Sequence, residues 1–492
     1  MKPDTEEDSA TPLLKRLSQN RLSPDFPYVR AWLVSGTLVV FYIIAAFAIL
    51  PVISQYVVQR IKHEPTNSTH FNMTSNNTTS SCGKDDGQEQ EIQKKASSLT
   101  LYYSLVGGFI AVLTNIYMGP LCDAVGRKTV FIIPALGILA KDLIITFIVY
   151  YNLNLNYFYL AYGIDGLTGS YFAIFVAMFS YSADMTVPGN SRTIAITILE
   201  GCVAVASSAG QLATGFLIKF VGFLYPAVMF VSLSALNLVV VFFLLPETVT
   251  IKTKLSISPL KNIKKVFGFY FSGANMVKRC AYLIALAVFF FGVVTILGRS
   301  TLETIYQLGE PFCWDSVKIG YYGSIRMTSA FIFSIIALKI LQYFVREEVI
   351  AIIGCLASIS GFVLEGFADT SLMMYLVPVA SLVASTVIPV TRATMSKMTL
   401  PSQQGALFAS IAIVESLSNS ASYILYNSVY NATVEYYRGI VWFVMAGLAL
   451  VTAVFLLAFI WTSNKGNIYP CYEAELTINA DNYGSSEDPN EH

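Results

Sequence analysis

Twelve separate runs of mostly apolar residues occupy the chain, near 31–57, 98–120, 129–151, 156–182, 193–218, 222–246, 280–304, 318–343, 348–368, 372–396, 404–430 and 439–462. A helix of about twenty such residues crosses the hydrocarbon core of a bilayer. Lipid offers the backbone no hydrogen bonds, so each run must be a helix, and its internal glycines and prolines are no obstacle. The expected fold class is an all-α membrane protein with twelve transmembrane helices. Only 13% of the 492 residues are charged, about half the share in a soluble domain. Thirty-one basic residues balance thirty-one acidic ones, which leaves no basic stripe for nucleic acid. The first run is longer than the apolar part of a signal peptide, and no cleaved leader is expected.

Lysines and arginines near the ends of the runs set the orientation. Lys15, Arg16, Arg21 and Arg30 precede the first run, Arg127 and Lys128 follow the second, and the linker 247–279 carries seven more. The opposite loops 151–156 and 369–371 carry none. Both termini and the linker are therefore expected in the cytoplasm. The expected domains are a tail (1–28), a six-helix half (29–246) with an exofacial loop (58–97), the linker, a second half (280–462) and a tail (463–492).

The loop 58–97 supports this orientation. Asn67, Asn72, Asn76 and Asn77 each begin a glycosylation sequon, crowded into residues 67–79, as an exofacial segment allows. Of seven cysteines, Cys122, Cys202, Cys280 and Cys355 lie in or beside apolar runs and Cys471 lies in the C-terminal tail. Cys82 and Cys313 fall in loops on the oxidising face, so a disulfide between them is expected, clipping the halves together. The histidines His63, His70 and His492 lie outside every run, and no zinc spacing appears. No metal or cofactor is expected. The acidic tail after Asn464 reads as disordered, and residues 4–14 resemble an acidic dileucine sorting signal with its spacing one residue off.

The halves carry a trace of duplication. Asp184-Met-Thr-Val-Pro188 precedes the fifth helix and Glu200 lies within it; Lys397-Met-Thr-Leu-Pro401 precedes the eleventh and Glu415 lies within it. Parallel halves with a substrate site between them near the midplane are a known transporter plan.

After the second helix the chain reads Gly119-Pro-Leu-Cys-Asp123-Ala-Val-Gly126-Arg127-Lys128. This resembles the major facilitator signature loop. A glycine permits the tight turn, and an aspartate and an arginine can pair across helix ends in one conformation and part in another. Asp123, Gly126 and Arg127 are thus the gating candidates.

Further stretches resemble the solute carrier 46 family: Ile305-Tyr-Gln-Leu-Gly-Glu-Pro-Phe-Cys313-Trp-Asp-Ser, Pro389-Val-Thr-Arg392-Ala-Thr-Met-Ser-Lys397, Gln404-Gly-Ala-Leu-Phe408 and Tyr430-Asn-Ala-Thr-Val434. The resemblance implies the major facilitator fold, the Cys82–Cys313 disulfide and proton-linked movement of organic anions. It lends Glu200 a role in proton coupling and Arg392 one in substrate binding. The sequence departs from the family's folate carrier at three places. Ile296 stands where that carrier has a seventh-helix histidine, the linker has no histidine, and Ser170 stands in place of a fourth-helix aspartate.

An ionised group deep in a span costs about 2.5–3.5 kcal/mol on the insertion scale, so it is expected to face a cavity or a partner. Glu200, about 10 Å inside the cytoplasmic end of helix five, and Glu415, its repeat counterpart, meet that description. Arg392 lies one turn from the cytoplasmic end of helix ten, just after Pro389, where the alternative is an arginine that snorkels to the interface. Lys141 and Asp142 in helix three, and Asp165 in helix four, form a second group; similar depth predicts a Lys141–Asp165 ion pair. Arg299, Arg326 and Glu365 lie in the outer thirds of their helices, where they would line an exofacial vestibule.

Together these readings predict a secondary active carrier at the plasma or lysosomal membrane. Arg392, Asp165, Ser170 and Arg326 are its substrate-binding candidates, and Glu200 and Glu415 its proton-coupling ones. Its partners are a small organic anion, protons and the bilayer. A non-transporting receptor or scaffold on the same fold is the rival, and membrane enzymes are disfavoured because the runs contain no histidine.

Overall fold

The computed structural model describes residues 28–62, 86–186, 190–248, 276–399 and 404–466, with scattered residues between 258 and 271. Fifteen α-helices account for most of them. The first seven are α1 (Tyr28–Lys62), α2 (Asp86–Ala124), α3 (Arg127–Tyr151), α4 (Tyr157–Leu167), α5 (Ser170–Met185), α6 (Asn190–Val221) and α7 (Leu224–Leu244). The last eight are α8 (Met276–Ile296), α9 (Arg299–Leu308), α10 (Ser316–Leu341), α11 (Glu347–Gly366), α12 (Ser371–Ala380), α13 (Val387–Met398), α14 (Gln404–Thr433) and α15 (Ile440–Gly466).

Ten helical stretches among the described residues are long and apolar enough to cross a membrane, and eleven when the bent pair 371–380 and 384–398 counts as one. Two of these stretches are themselves broken: α4 runs into α5, and α8 into α9. The remaining predicted run, 404–430, falls on α14. Its thirty residues reach about 45 Å at 1.5 Å per residue. Glu415, Asn419, Asn427 and a row of serines make it too polar to qualify by hydropathy, and most of them are buried against protein.

The breaks have local causes. Between α4 and α5, Gly169 (φ 85°) and Ser170 (φ 54°) are both left-handed, a conformation that helices cannot propagate. Gly169 also has no room for a side chain, since a Cβ there would sit 2.8 Å from the Ala173 Cβ. Gly298 (φ 74°) separates α8 from α9 in the same way. Elsewhere capping side chains set the starts: Asp315 accepts from Lys318 N at 3.0 Å at the head of α10, satisfying a backbone donor that the helix cannot.

Packing falls into two groups. In the first seven helices, α1 lies against α6 and α7, and α3 against α4 and α7. In the last eight, α15 lies against α8 and α11. The seam between the groups is made chiefly by α2 against α14 and α6 against α10. At the α6–α10 crossing the backbones nearly touch, because a Cβ at Gly215 would meet Ser316 O at 2.7 Å and the Gly320 Cα at 3.1 Å.

Candidate functional site: Arg392 between two carboxylates

Arg392 lies on the short helix α13, buried to 8% exposure. Its Nη1 donates to Glu200 Oε1 on α6 at 2.6 Å, and its Nη2 donates to Glu415 Oε1 on α14. The guanidinium carbon stands 5.0 Å from the Phe179 ring of α5 and 5.7 Å from the Phe289 ring of α8. Counting 1.5 Å per residue places Glu200 and Glu415 each about 15 Å from the start of its helix, roughly a third of the way along. The structure therefore unites three residues that sequence reasoning selected separately. It brings helices from both groups onto one cation, and two carboxylates share a single positive charge.

The seam around this site is polar along its length. Ser97 Oγ donates to Asn427 Oδ1 at 2.7 Å, Asn115 Nδ2 to Ser416 Oγ at 3.1 Å and Tyr430 OH to Gln93 Oε1 at 2.7 Å, all between α2 and α14. Between α6 and α10, the Ser208 hydroxyl lies 2.7 Å from that of Ser324 and 2.6 Å from that of Thr328. Where α6 ends and α10 begins, Lys219 and Asp315 pair at 2.9 Å. Partial burial alone would push the Asp315 carboxyl up, but the hydrogen bond from Lys219 and that from Lys318 N outweigh it and hold the group below the usual carboxylate range.

Two other buried clusters account for the remaining candidates. Lys141 Nζ lies 3.3 Å from Asp165 Oδ2, which also accepts from Ser170 Oγ at 2.8 Å. Asp165 thus meets both Ser170 and Lys141. Arg299 reaches Glu303 (3.0 Å) and Glu365 (2.6 Å), while Arg326 reaches Glu303 at 3.2 Å. Arg299 also stands over the Phe362 and Trp442 rings. This corrects the expected vestibule: Arg299 and Glu365 are 8% and 0% exposed and hold their own bundle together. Arg326, a substrate-binding candidate, belongs to this network.

At the signature loop, Arg127 Nε donates to Asp184 Oδ2 at 2.9 Å, and Thr248 Oγ1 donates to the same oxygen at 2.8 Å. Glu247 caps the start of α3 by accepting from Arg127 N (2.9 Å) and Lys128 N (3.2 Å), where unpaired amides and the helix dipole favour an anion. Gly126 is left-handed (φ 127°), and a Cβ there would overlap Glu247. The side chain of Asp123, expected to pair with Arg127, lies outside the described residues. So do Cys82 and the sequon asparagines Asn67, Asn72, Asn76 and Asn77; Cys313 is disulfide-bonded.

Sequence reasoning missed Glu303, Asp184, Glu247 and Asn115. The i,i+4 spacing of Arg299 and Glu303 was a usable signal. Asp184 stands in the sequence only as a repeat marker, and nothing local marks Glu247 as the cap of a helix 120 residues earlier.

The family model of the Major Facilitator Superfamily matches residues 37–423. The lysosomal proton-coupled steroid conjugate and bile acid symporter SLC46A3 of Gallus gallus is 30% identical over 449 residues, spanning 89% of this chain and 96% of that one. The chain belongs to the Major Facilitator Superfamily, in its solute carrier 46 family. The proton-coupled folate transporter of Bos taurus is 28% identical, over 88% of this chain and 95% of its own. The human organic anion transporter MFSD10 shares the fold with a TM-score of 0.62 at 15% identity, covering 87% of this chain and 99% of that one. This solute carrier 46 protein is a multi-pass membrane transporter and not an enzyme.

Proposed function

We propose that this transporter is a proton-coupled symporter of an organic anion, working by alternating access between two six-helix halves, 29–246 and 280–462. The observation that carries the reading is the shared arginine: Arg392 is bonded to Glu200 and Glu415 at once, from opposite sides of the seam. In a low-dielectric site, two carboxylates and one guanidinium leave an excess negative charge that favours uptake of a proton. An incoming anion needs the same guanidinium N–H groups that the carboxylates occupy. Protonating one carboxylate frees donors on Arg392 and removes the charge that repels the substrate. Glu200, with a side chain 25% exposed against 9% for Glu415, is the one solvent reaches more readily and takes the proton first. Neither ligand binds well alone, which is what couples them.

The named activities of the relatives support both halves of this reading, steroid conjugates, bile acids and folate being organic anions. The missing folate-carrier histidines and Ser170 favour a conjugate over folate. The lysines and arginines at the run ends support both termini in the cytoplasm, at a lysosomal or plasma membrane. The Cys82–Cys313 disulfide and glycans on Asn67, Asn72, Asn76 and Asn77 belong to the opposite face. Asp123 joins Gly126 and Arg127 in gating the cytoplasmic end. The test is uptake of a sulfated steroid, a bile acid and folate into proteoliposomes with and without an inward proton gradient. Gradient-driven accumulation of one of the first two, lost in Glu200→Gln, is expected. Uptake of none, or uptake indifferent to the gradient, overturns the proposal.

A further inference from the structure

Apart from the Arg392 site, the first seven helices enclose a second group of charges that transport as described above does not use. Lys141 and Asp142 on α3 meet Asp165 at the end of α4, with both aspartates and the lysine 6% exposed or less. The polar groups that face them come from three neighbouring helices: Tyr42 of α1, Ser170 of α5, and Ser234 of α7. Lys141 supplies the positive charge, and Asp142 and Asp165 supply two negative ones.

The hydrogen bonds show what is missing. Asp142 Oδ2 accepts from Ser234 Oγ at 2.5 Å, but Asp142 Oδ1 is buried with no hydrogen-bond partner among the described residues. Asp165 Oδ2 accepts from Ser170 and faces Lys141, while its Oδ1 is likewise unpartnered. The Tyr42 hydroxyl, 1% exposed, has no partner and lies within electrostatic range of both aspartates. Buried oxygens without donors are costly, and an unbalanced buried charge more so. One added proton answers both faults, since it neutralises the surplus carboxylate and turns an orphaned acceptor into a donor.

We propose that the cluster of Lys141, Asp142 and Asp165 holds one bound proton, making it a second proton-binding site distinct from Glu200 and Glu415. Its position gives the proton a mechanical address. The Asp165–Ser170 hydrogen bond spans the break between α4 and α5, where Asn115 Nδ2 donates both to Gly169 O and to Ser416 Oγ. Ser416 adjoins Glu415. A change in charge at Asp165 is therefore passed through the broken span to the neighbour of an Arg392 ligand.

The test needs no substrate. Infrared spectra of the purified full chain in nanodiscs at neutral pH report protonated carboxylic acids through their carbonyl stretch. Asp142→Asn is expected to remove one component of that band, and Glu200→Gln to leave that component in place. Ser234→Ala, which deletes only the hydroxyl bonded to Asp142 Oδ2, should shift the same component in frequency, and it answers the question if Asp142→Asn fails to fold. A band unchanged by Asp142→Asn, or by Ser234→Ala where only that variant folds, overturns the proposal without touching the Arg392 reading.

Discussion

Arg392 and Arg299 are both buried arginines that bond two carboxylates each, and they sit in opposite electrical settings. Around Arg299 a second arginine, Arg326, joins Glu303, so that two cations meet two anions, all on α9, α10 and α11. Among the described residues, Arg392 is one cation for two anions, drawn from helices on both sides of the seam. A balanced network inside one bundle has nothing to gain from an extra ion and serves to hold its helices in register. An unbalanced one between bundles can be altered by a proton or an anion, and altering it changes how the bundles meet. Composition alone would have ranked the Arg299 cluster higher, since it has more charges and deeper burial.

The contrast can be broken most forcefully at Arg392. Arg392→Ala leaves two buried carboxylates facing each other and removes the anion's donors, so proteoliposome uptake should fall by about 100-fold or more, two lost charged hydrogen bonds at ~1.5–3 kcal/mol each. Residual uptake near wild type would erase the distinction. Arg299→Ala should instead act on the fold, costing about 3–5 kcal/mol for a broken buried pair, read as a lowered melting temperature. Protein that survives should keep the wild-type pH profile of uptake, and a shifted profile would move Arg299 into the transport site.

Glu200→Gln sharpens the comparison by making the Arg392 site balanced like the other. Stimulation of uptake by acid pH should flatten by about tenfold, one charge-assisted interaction of ~1.4 kcal/mol, with melting temperature little changed. Gly126→Ala tests the remote end of the same machine. The left-handed turn and the Glu247 carboxylate leave no space for a methyl, so a loss of about 1–3 kcal/mol in stability is expected, and an unchanged melting curve would show the loop to be slack. The smallest effect belongs to Asp315→Asn at the seam. The Lys219–Asp315 pair is about half exposed and adds no more than a few tenths of a kcal/mol. Because the folded carboxyl lies below its ordinary value, that contribution is present above the ordinary carboxylate range and lost only as pH falls through the lowered value. Acidification to about pH 5 should therefore leave the pair intact, so that Asp315→Asn lowers the melting temperature by the same small amount at about pH 5 as at about pH 7.

The outline of this fold was legible because lipid imposes it: length and apolarity mark a span whatever its neighbours do. The run on α14 was legible for a second reason, its match with the preceding half, although its serines and asparagines lower its hydropathy. Arg392, Glu200 and Glu415 could be chosen one by one, since each is an ionisable group in an apolar stretch. Which carboxylate meets which cation was another matter. Lys141 with Asp165 follows from depth, but the pairing of Arg326 with Glu303 does not, because depth along a helix says nothing of the face on which a residue lies. Arg127 also pairs with Asp184, which approaches it from the end of another helix and which the signature loop alone does not mark. Pairings between helices are decided by rotation and tilt, and no single sequence records either.

The contact between Gly215 and Gly320 has a consequence for how far anything must travel. With no side chains between them, α6 and α10 can roll on each other as on a bare axle. Glu200 lies fifteen residues down α6 from that axle, a lever arm of about 22 Å. A tilt of roughly 10° at the crossing would carry Glu200 about 4 Å at that radius, more than enough to part it from Arg392.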